Sequence, residues 1–301
     1  MSAPWWDPIA MIDQMWALPF MVNAFRAGTL AAALAGTTGW FMVARRQAFA
    51  GHTLSVVGFP GAAGAALIGA PVWAGYLGFC TATALVLTGP RGRSGSSSTP
   101  RQGTSRGDGA VVGTVQAGSL ACGFLFVALY AGLLGGTTSL LFGSFLGITT
   151  GQVTFLAGVS LLVLVALALL GRPLLFATVD PDVAAARGVP VRRLDMAFLL
   201  LLALAVAGAV QVTGALLVFT LLVLPAATAQ RLTCRPAAAV ALSVAIAVLV
   251  VWTALTVAFY TPYPFGFWLS TLAFTGYLLA VATSRAGHLR HIRLQLHRPR
   301  S

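Results

Sequence analysis

The chain has 301 residues, of which 58% are hydrophobic and only 8% are charged. Soluble domains usually carry about 25% charged residues, so this composition excludes a water-soluble fold and points to a lipid bilayer as the solvent. The net charge of +12 comes from 18 basic residues, all of them arginine. All but Arg26 lie in short segments between or after apolar runs, as in cytoplasmic loops, which argues against nucleic-acid binding. Without lysine, the chain cannot form a P-loop for ATP.

Apolar runs of about 20 residues recur along the chain and predict an all-α, polytopic transmembrane helix bundle with about eight to ten spans. The uncharged stretch from Met196 to Gln230 would measure about 50 Å as a single helix, which is too long for one span. We therefore expect a break near Gln211–Gly214. The nine predicted spans lie near residues 18–43, 53–70, 72–89, 110–134, 152–171, 195–211, 213–230, 237–259 and 265–284.

The arginines also orient the predicted spans, because cytoplasmic loops are enriched in basic residues. With nine spans the arginine-rich segments fall on one side, which places the N-terminus outside and the C-terminus inside. This predicts an extracytoplasmic segment (1–17), a transmembrane domain (18–285) and a basic cytoplasmic tail (286–301) against membrane lipid. The Gly/Ser/Pro/Arg-rich stretch 89–109 predicts a flexible cytoplasmic linker.

Small residues recur at helical spacing in the first two predicted spans. They let helix backbones approach closely in lipid, so we expect these spans to pack in a compact bundle. The residues are Gly28, Ala32 and Gly36 in the first span, and Gly58, Gly61, Gly64 and Gly69 in the second.

The segment 180–188, between the fifth and sixth predicted spans, specifies a short helix. Asp180 can cap its N-terminus, Pro181 suits the first helical position, and Asp182 complements the helix dipole. At the other end, Gly188 can adopt the left-handed conformation that closes a helix. Isolated helices shorter than about 12–15 residues are marginal in water. We therefore expect this helix to dock, either on a partner or on the protein's own loops.

Four stretches of sequence together resemble a known family. The segment 180–190 carries Asp-Pro, small residues and then Gly-x-Pro. Residues 20–61 contain the step RRQAFAG and end in Pro-Gly, residues 141–147 read LFGSFLG, and residues 213–233 read TGALLVFTLLVLPAATAQRLT. In this order they resemble the zinc/manganese-type ABC importer permeases, over roughly residues 18–285.

The resemblance implies a permease subunit of an ABC-type importer for a divalent transition-metal ion, zinc or manganese, in the bacterial cytoplasmic membrane. It implies an ATPase dimer that binds the ATP, a second permease that is an identical or a sister chain, and an extracytoplasmic metal-binding lipoprotein. On this reading the chain is not an enzyme and holds no cofactor of its own. Segment 180–188 resembles the family's coupling helix, which implies contact with the ATPase for Asp180, Pro181, Asp182, Ala184, Ala185, Arg187 and Gly188.

The chain departs from the family pattern at the start of the second span. The family usually has Asp and His four residues apart there, on one helix face. In this chain His52 replaces the Asp, and Val56 replaces the His. Neutral imidazole binds transition metals, so His52 is a candidate metal ligand, with Ser55 as a polar neighbour. The alternative is that His52 donates to a carbonyl or is solvated at the helix end.

Two rival functions have less support from the residues. An ATP-independent carrier or channel usually shows ionisable residues in mid-span, and no predicted span has one at its centre. A membrane enzyme would need paired Asp, a HExxH motif or a Ser/His pair beside the spans, and the sequence provides none of these. The importer permease is the interpretation that the sequence favours.

Overall fold

The computed structural model describes residues 16–88, 105–129, 143 and 147–296, except for the side chains of 105–111 and 285–296. Within these residues the protein contains ten helices and no strand, which confirms the all-α fold class. The helices are α1 (Pro19–Ala44), α2 (Ala48–Leu67), α3 (Val72–Thr88), α4 (Ser105–Leu129), α5 (Thr150–Val179), α6 (Pro181–Ala186), α7 (Val191–Thr213), α8 (Ala215–Leu232), α9 (Pro236–Tyr260) and α10 (Phe265–Leu296).

All helices except the short α6 correspond to the nine predicted spans. Seven of them are long and apolar enough to cross a membrane by length and composition. The other two are α3, a shorter apolar helix of 17 residues, and α2, most of whose 20 residues are buried among its neighbours. The protein is a multi-pass integral membrane protein.

Two predicted boundaries differ from the structure. Helix α4 begins at Ser105, inside the linker predicted at 89–109, whose remaining part (89–104) lies outside the described residues. Helix α10 continues to Leu296, so the tail predicted from residue 286 is helical up to that point. In both places the helix continues from an apolar span into a polar sequence. Hydropathy marks where a span leaves the membrane, not where its hydrogen-bonded helix ends.

Helix α1 is central to the bundle and packs against α5, α7, α8 and α9. Its close contacts depend on glycine. A Cβ at Gly36 would lie 2.8 Å from the Cα of Val244, and the hydroxyl of Ser243 donates to the Gly36 carbonyl at 2.8 Å. A Cβ at Gly39 would collide with the carbonyl oxygen of Leu222. The small residues of α1 therefore set how closely α8 and α9 approach it.

Helices α2 and α3 also pack closely at glycines, and here each helix contributes one. A Cβ at Gly61 would lie 2.5 Å from the carbonyl oxygen of Gly75, and a Cβ at Gly75 would collide with the carbonyl oxygen of Gly61. The two backbones are thus in direct contact. This is the tight packing that the small residues of the second predicted span indicated.

The break predicted near Gln211–Gly214 is present between α7 and α8. Gly214 ends α7 with φ of 81° and ψ of 156°, a conformation that requires glycine. Gly143 also has positive φ, 71°, and a Cβ there would lie 2.7 Å from the carbonyl oxygen of Val212. Two of the sequence stretches that suggested the family therefore meet, backbone against backbone, at this break.

Several contacts bring the arginine-rich helix ends together, and we call this end of the bundle the basic end. Arg45, just after α1, pairs with Asp195 near the start of α7. Gln230, near the end of α8, donates to the carbonyl of Trp40 at 3.2 Å. At the opposite end, Asn23 donates to the carbonyl of Ile148 at 3.3 Å. Arg45, Arg193 and Arg231 lie at these joined helix ends.

Candidate functional site

Segment 180–188 forms the capped helix that its sequence predicts. The Asp180 carboxylate accepts from the backbone N–H of Val183 at 2.9 Å, and Pro181 occupies the first helical position. At the other end Gly188 has φ of 79°. Its N–H donates to the carbonyl of Ala185 at 3.0 Å, and the N–H of Val189 donates to the carbonyl of Ala184 at 3.0 Å. This pair of bonds is the Schellman motif.

Most of α6 is exposed to solvent. Five members of the predicted docking set, Pro181, Asp182, Ala185, Arg187 and Gly188, are exposed, and Asp180 is half-buried. Val183 adds an apolar side chain that is 43% exposed. Ala184, the remaining member of that set, is 0% exposed, because it faces the helix bundle. The segment therefore has an inward anchor and an outward surface available to a partner.

Helix α5 carries α6 at its end. It has 30 residues, which at 1.5 Å per residue is about 45 Å and exceeds the roughly 30 Å hydrocarbon core. Asp180 ends α5 and at the same time caps α6, with extended backbone dihedrals of φ −146° and ψ 94°. A single residue thus joins a long spanning helix to the short helix at the basic end. The main contacts of α6 are with α5 and α7.

Arg45 joins three helices beside this segment. Its guanidinium pairs with Asp195 on α7 and donates to the hydroxyl of Thr178 on α5 at 2.9 Å and to the carbonyl of Leu174 at 3.4 Å. It also lies over the ring of Phe198, 5.5 Å from the centroid. The Arg45 side chain is only 6% exposed, whereas that of Asp195 is 43% exposed. Burial lowers the pKa of the Arg45 guanidinium, but arginine stays protonated in proteins, so Arg45 keeps its positive charge.

The turn between α1 and α2 aims Arg45 inward and Arg46 outward. Arg46 has φ of 56°, and it is exposed. Its N–H donates to the carbonyl of Val43 at 3.1 Å, and the N–H of Gln47 donates to the carbonyl of Met42 at 2.9 Å. These are again the bonds of a Schellman motif, here with arginine in the left-handed position where glycine is usual. Two adjacent arginines therefore have opposite surroundings.

His52 lies within α2, which begins at Ala48, five residues before the predicted span. The imidazole packs edge-on against Phe219 of α8, with ring centroids 4.8 Å apart. Its Nδ1 is buried and has no hydrogen-bond partner among the described residues. In that part of the chain this nitrogen therefore donates to no carbonyl. His52 presents a buried nitrogen between two packed helices.

Ser55 and Val56 lie on the next turn of α2. Ser55 is 0% exposed, and its hydroxyl donates to the carbonyl of Gly51 at 2.9 Å, which leaves its oxygen lone pairs as acceptors. Val56 is 8% exposed. Beside them, the hydroxyl of Thr53 donates to the side-chain oxygen of Gln116 on α4 at 3.2 Å. No group of three or more His, Cys, Asp or Glu side chains able to hold a metal ion occurs in the described residues.

The Arg45–Asp195 pair was not predicted from the sequence. Arg45 was one of the arginines that orient the spans, and no motif marked Asp195. A signal was nevertheless present, because three of the six acidic residues of the chain fall between positions 180 and 195. Acidic residues concentrated around one segment of an arginine-rich chain indicate ion pairing there. The choice of Arg45 over Arg46 depends on the turn geometry, which the sequence did not reveal.

The chain is similar in sequence to known membrane transport proteins. The profile of the ABC 3 transport family matches residues 17–284. The manganese transport system membrane protein MntC of Halalkalibacterium halodurans is 30% identical over 225 residues, which cover 74% of this chain and 73% of that protein. The chelated iron transport system membrane protein YfeC of Yersinia pestis is 29% identical, covering 72% of this chain and 70% of that protein.

Among solved structures, PsaBC from Streptococcus pneumoniae in complex with a Fab has a similar fold. The TM-score is 0.78 and the sequence identity is 22%, and the match covers 90% of this chain and 94% of that chain. The similarity of fold therefore extends over nearly the whole chain.

Proposed function

This chain belongs to the ABC 3 transport family, and from that premise we propose that it is the membrane permease of an importer for a divalent transition-metal ion, driven by a separate ATPase. The observation that supports this most directly is segment 180–188. It is a fully capped short helix at the basic end, anchored by Ala184 and otherwise largely exposed. A helix this short is marginal alone, so a docked partner is the simplest reason for so complete a specification.

On this proposal the basic end faces the cytoplasm of a bacterium, as the positive-inside rule requires. The exposed surface of α6, with Val183, Ala185 and Arg187, docks in a groove of the ATPase. Nucleotide-driven closure of two ATPase subunits then moves α6 and rocks the bundle as a rigid body. ATP is bound by that partner, because this chain has no lysine from which a P-loop could be built.

The transported ion is manganese or zinc on this proposal. A relative whose name states manganese transport makes manganese the first ion to test. Zinc is the alternative, because imidazole suits zinc better than manganese, and His52 stands where the family usually has a carboxylate. We propose that the buried Nδ1 of His52, with the hydroxyl oxygen of Ser55, lines the ion pathway between α2 and α8. A single imidazole holds an ion weakly, which suits an ion in transit.

Two further partners belong to the proposal. A second permease, an identical or a sister chain, would complete the pathway, and the missing Asp/His pair makes a sister chain that supplies carboxylates worth testing. An extracytoplasmic metal-binding lipoprotein would deliver the ion at the end opposite the arginines. These assignments follow the family resemblance and the placement of charge.

The experiment that tests the proposal measures uptake in the native host. We expect deletion of the gene for this chain to abolish uptake of radioactive manganese or zinc, a plasmid copy to restore it, and depletion of cellular ATP to stop it. Affinity purification in mild detergent should then recover a P-loop ATPase. Uptake that persists without ATP, together with a stable preparation that contains no ATPase, would instead establish an ATP-independent carrier.

A further inference from the structure

The guanidinium of Arg45 holds together the two helices on which α6 is mounted. Nη1 donates to Thr178 on α5, two residues before the Asp180 cap, and Nη2 pairs with Asp195 on α7. The Thr178 hydroxyl in turn donates to the carbonyl of Leu174 at 2.6 Å, so it accepts from Arg45 while its own proton is committed. The two nitrogens of one fork thus bind the two helices that flank α6.

The backbone of Arg45 belongs to a different part of the bundle. It is the C-cap of α1, where its N–H donates to the carbonyl of Phe41 at 2.9 Å. Helix α1 packs against α5, α7, α8 and α9, and more than half of its 26 residues are buried. Arg45 therefore connects the α5–α7 base that carries α6 to a helix that packs against four other spans of the bundle.

Stability alone is a weak explanation for this arrangement. A buried ion pair often contributes little net stability, because removing the charges from water offsets their attraction. Arg45 also leaves its Nε without a hydrogen-bond partner among the described residues, although that atom is buried. A planar fork that binds two separate helices gives a connection of fixed geometry, which lysine's single ammonium group cannot reproduce.

We propose that Arg45, through Asp195 and Thr178, is a positioning residue that couples movement of segment 180–188 to α1 and thereby to the transport pathway. The proposal rests on the function proposed above. It predicts a specific defect: when the link is broken, the permease still folds and still binds its ATPase, but hydrolysis of ATP no longer drives transport.

The test uses the permease–ATPase complex purified from its host and reconstituted in liposomes, with transported ion and hydrolysed ATP measured together. For Arg45→Gln and Asp195→Asn we expect ATP hydrolysis close to wild type and transport lowered about 10-fold, within the usual range of coupling between sites. Arg45→Lys keeps the charge but should not restore coupling. The exchange Arg45→Asp with Asp195→Arg should restore part of it. Arg46→Gly, which removes the neighbouring exposed arginine, should behave like wild type.

The outcomes separate this inference from the proposed function. Wild-type complex without ATP-dependent transport would overturn the proposed function and this inference with it. Wild-type transport that Arg45→Gln and Asp195→Asn leave unchanged would overturn the inference alone. If hydrolysis and transport fall in parallel and the melting temperature falls with them, the residue is merely structural and the inference is again overturned. Should Arg45→Gln fail to fold, Asp195→Asn decides, because its carboxylate is partly exposed and its loss leaves the bonds of Arg45 to α5 intact.

Discussion

The interior of the bundle and its basic end are built in different ways. In the interior, helices meet through their backbones, as Gly61 and Gly75 do between α2 and α3. At the basic end, named side chains make the connections: Asp180 caps α6, and Arg45 binds α5 and α7. In the interior, interhelical bonds such as that from Ser243 to Gly36 accompany direct backbone contact, whereas at the basic end the side chains themselves make the connections.

The difference follows from the solvent on each side. Within lipid there is little hydrophobic gain in bringing helices together, so close van der Waals packing at small residues holds them. At the basic end water competes for every hydrogen bond, and caps and ion pairs fix geometry more than they add free energy. We therefore expect substitutions in the interior to affect folding, and substitutions at the basic end to affect transport.

The largest effect should come from adding volume in the interior. Gly75→Val places a side chain against the backbone of Gly61, and it should force α2 and α3 apart at a cost of about 1–3 kcal/mol or more. The expected result is little folded protein in detergent, measured by size-exclusion chromatography and thermal melting. Gly78→Val, one turn away, is the matched control, because a Cβ there meets nothing within 4 Å. Equal behaviour of the two variants would contradict the packing account.

At the basic end, Ala185→Glu should abolish uptake while the protein still folds. The substitution places a charge on the exposed surface of α6, where an apolar groove of a partner would have to accept it. The matched control is Ala237→Glu, in the first turn of α9, where an exposed acidic residue suits the helix N-terminus. Uptake by Ala185→Glu equal to that of the control would remove the docking role from this segment.

Substitution of His52, which lies in the second turn of α2, should have an intermediate effect on uptake. His52→Ala removes the buried ring nitrogen and should lower metal uptake several-fold, with no loss of ATPase during purification. His52→Asp introduces the carboxylate that the family usually has there, and it should shift the preference from zinc toward manganese. Competition assays with the two ions measure this shift. Unchanged uptake and selectivity in both variants would show that His52 only packs against Phe219.

Substitutions at Gly188 and Arg46, the two residues with positive φ at the basic end, should have the smallest effects. Gly188→Ala meets no atom within 4 Å, but its φ of 79° costs an L-residue about 1 kcal/mol, so it should loosen α6 and lower uptake modestly. Arg46→Gly relieves a similar strain at φ 56° but makes the unfolded chain more flexible, so its net effect on stability should be near zero. Paired uptake and melting curves test both. A larger defect in Arg46→Gly than in Gly188→Ala would reverse this ranking.

The sequence predicted α6 well because the rules for helix capping are local. Asp180, Pro181 and Gly188 specify a helix start and stop without reference to the rest of the fold, and the structure has both. The same rules missed the end of α1, where Arg46 takes the glycine position. Arg46 adopts this strained conformation because the burial of Arg45 and the reversal of the chain between α1 and α2 fix the turn. Both are features of the tertiary structure.

Long-range pairing marks the other limit of sequence reasoning. Arg45 and Asp195 are 150 positions apart, and no local pattern connects them. The small residues of α1 predicted close packing but not its partners, since helix periodicity gives a face without saying which helix covers it. Likewise, Ala184 and Ala185 have the same side chain. Only the packing of α6 on the bundle shows that Ala184 faces the bundle and Ala185 faces solvent.

The most direct test of the account is a crosslink from segment 180–188. In a chain whose own cysteines (Cys80, Cys122 and Cys234) are replaced by serine, Ala185→Cys would be treated with a short crosslinker in native membranes, and its products identified by mass spectrometry. Tyr263→Cys, an exposed position between α9 and α10 at the opposite end, is the control. We predict a P-loop ATPase crosslinked to position 185 and none at position 263. An ATPase that co-purifies with the chain but never crosslinks at position 185 would contradict the account.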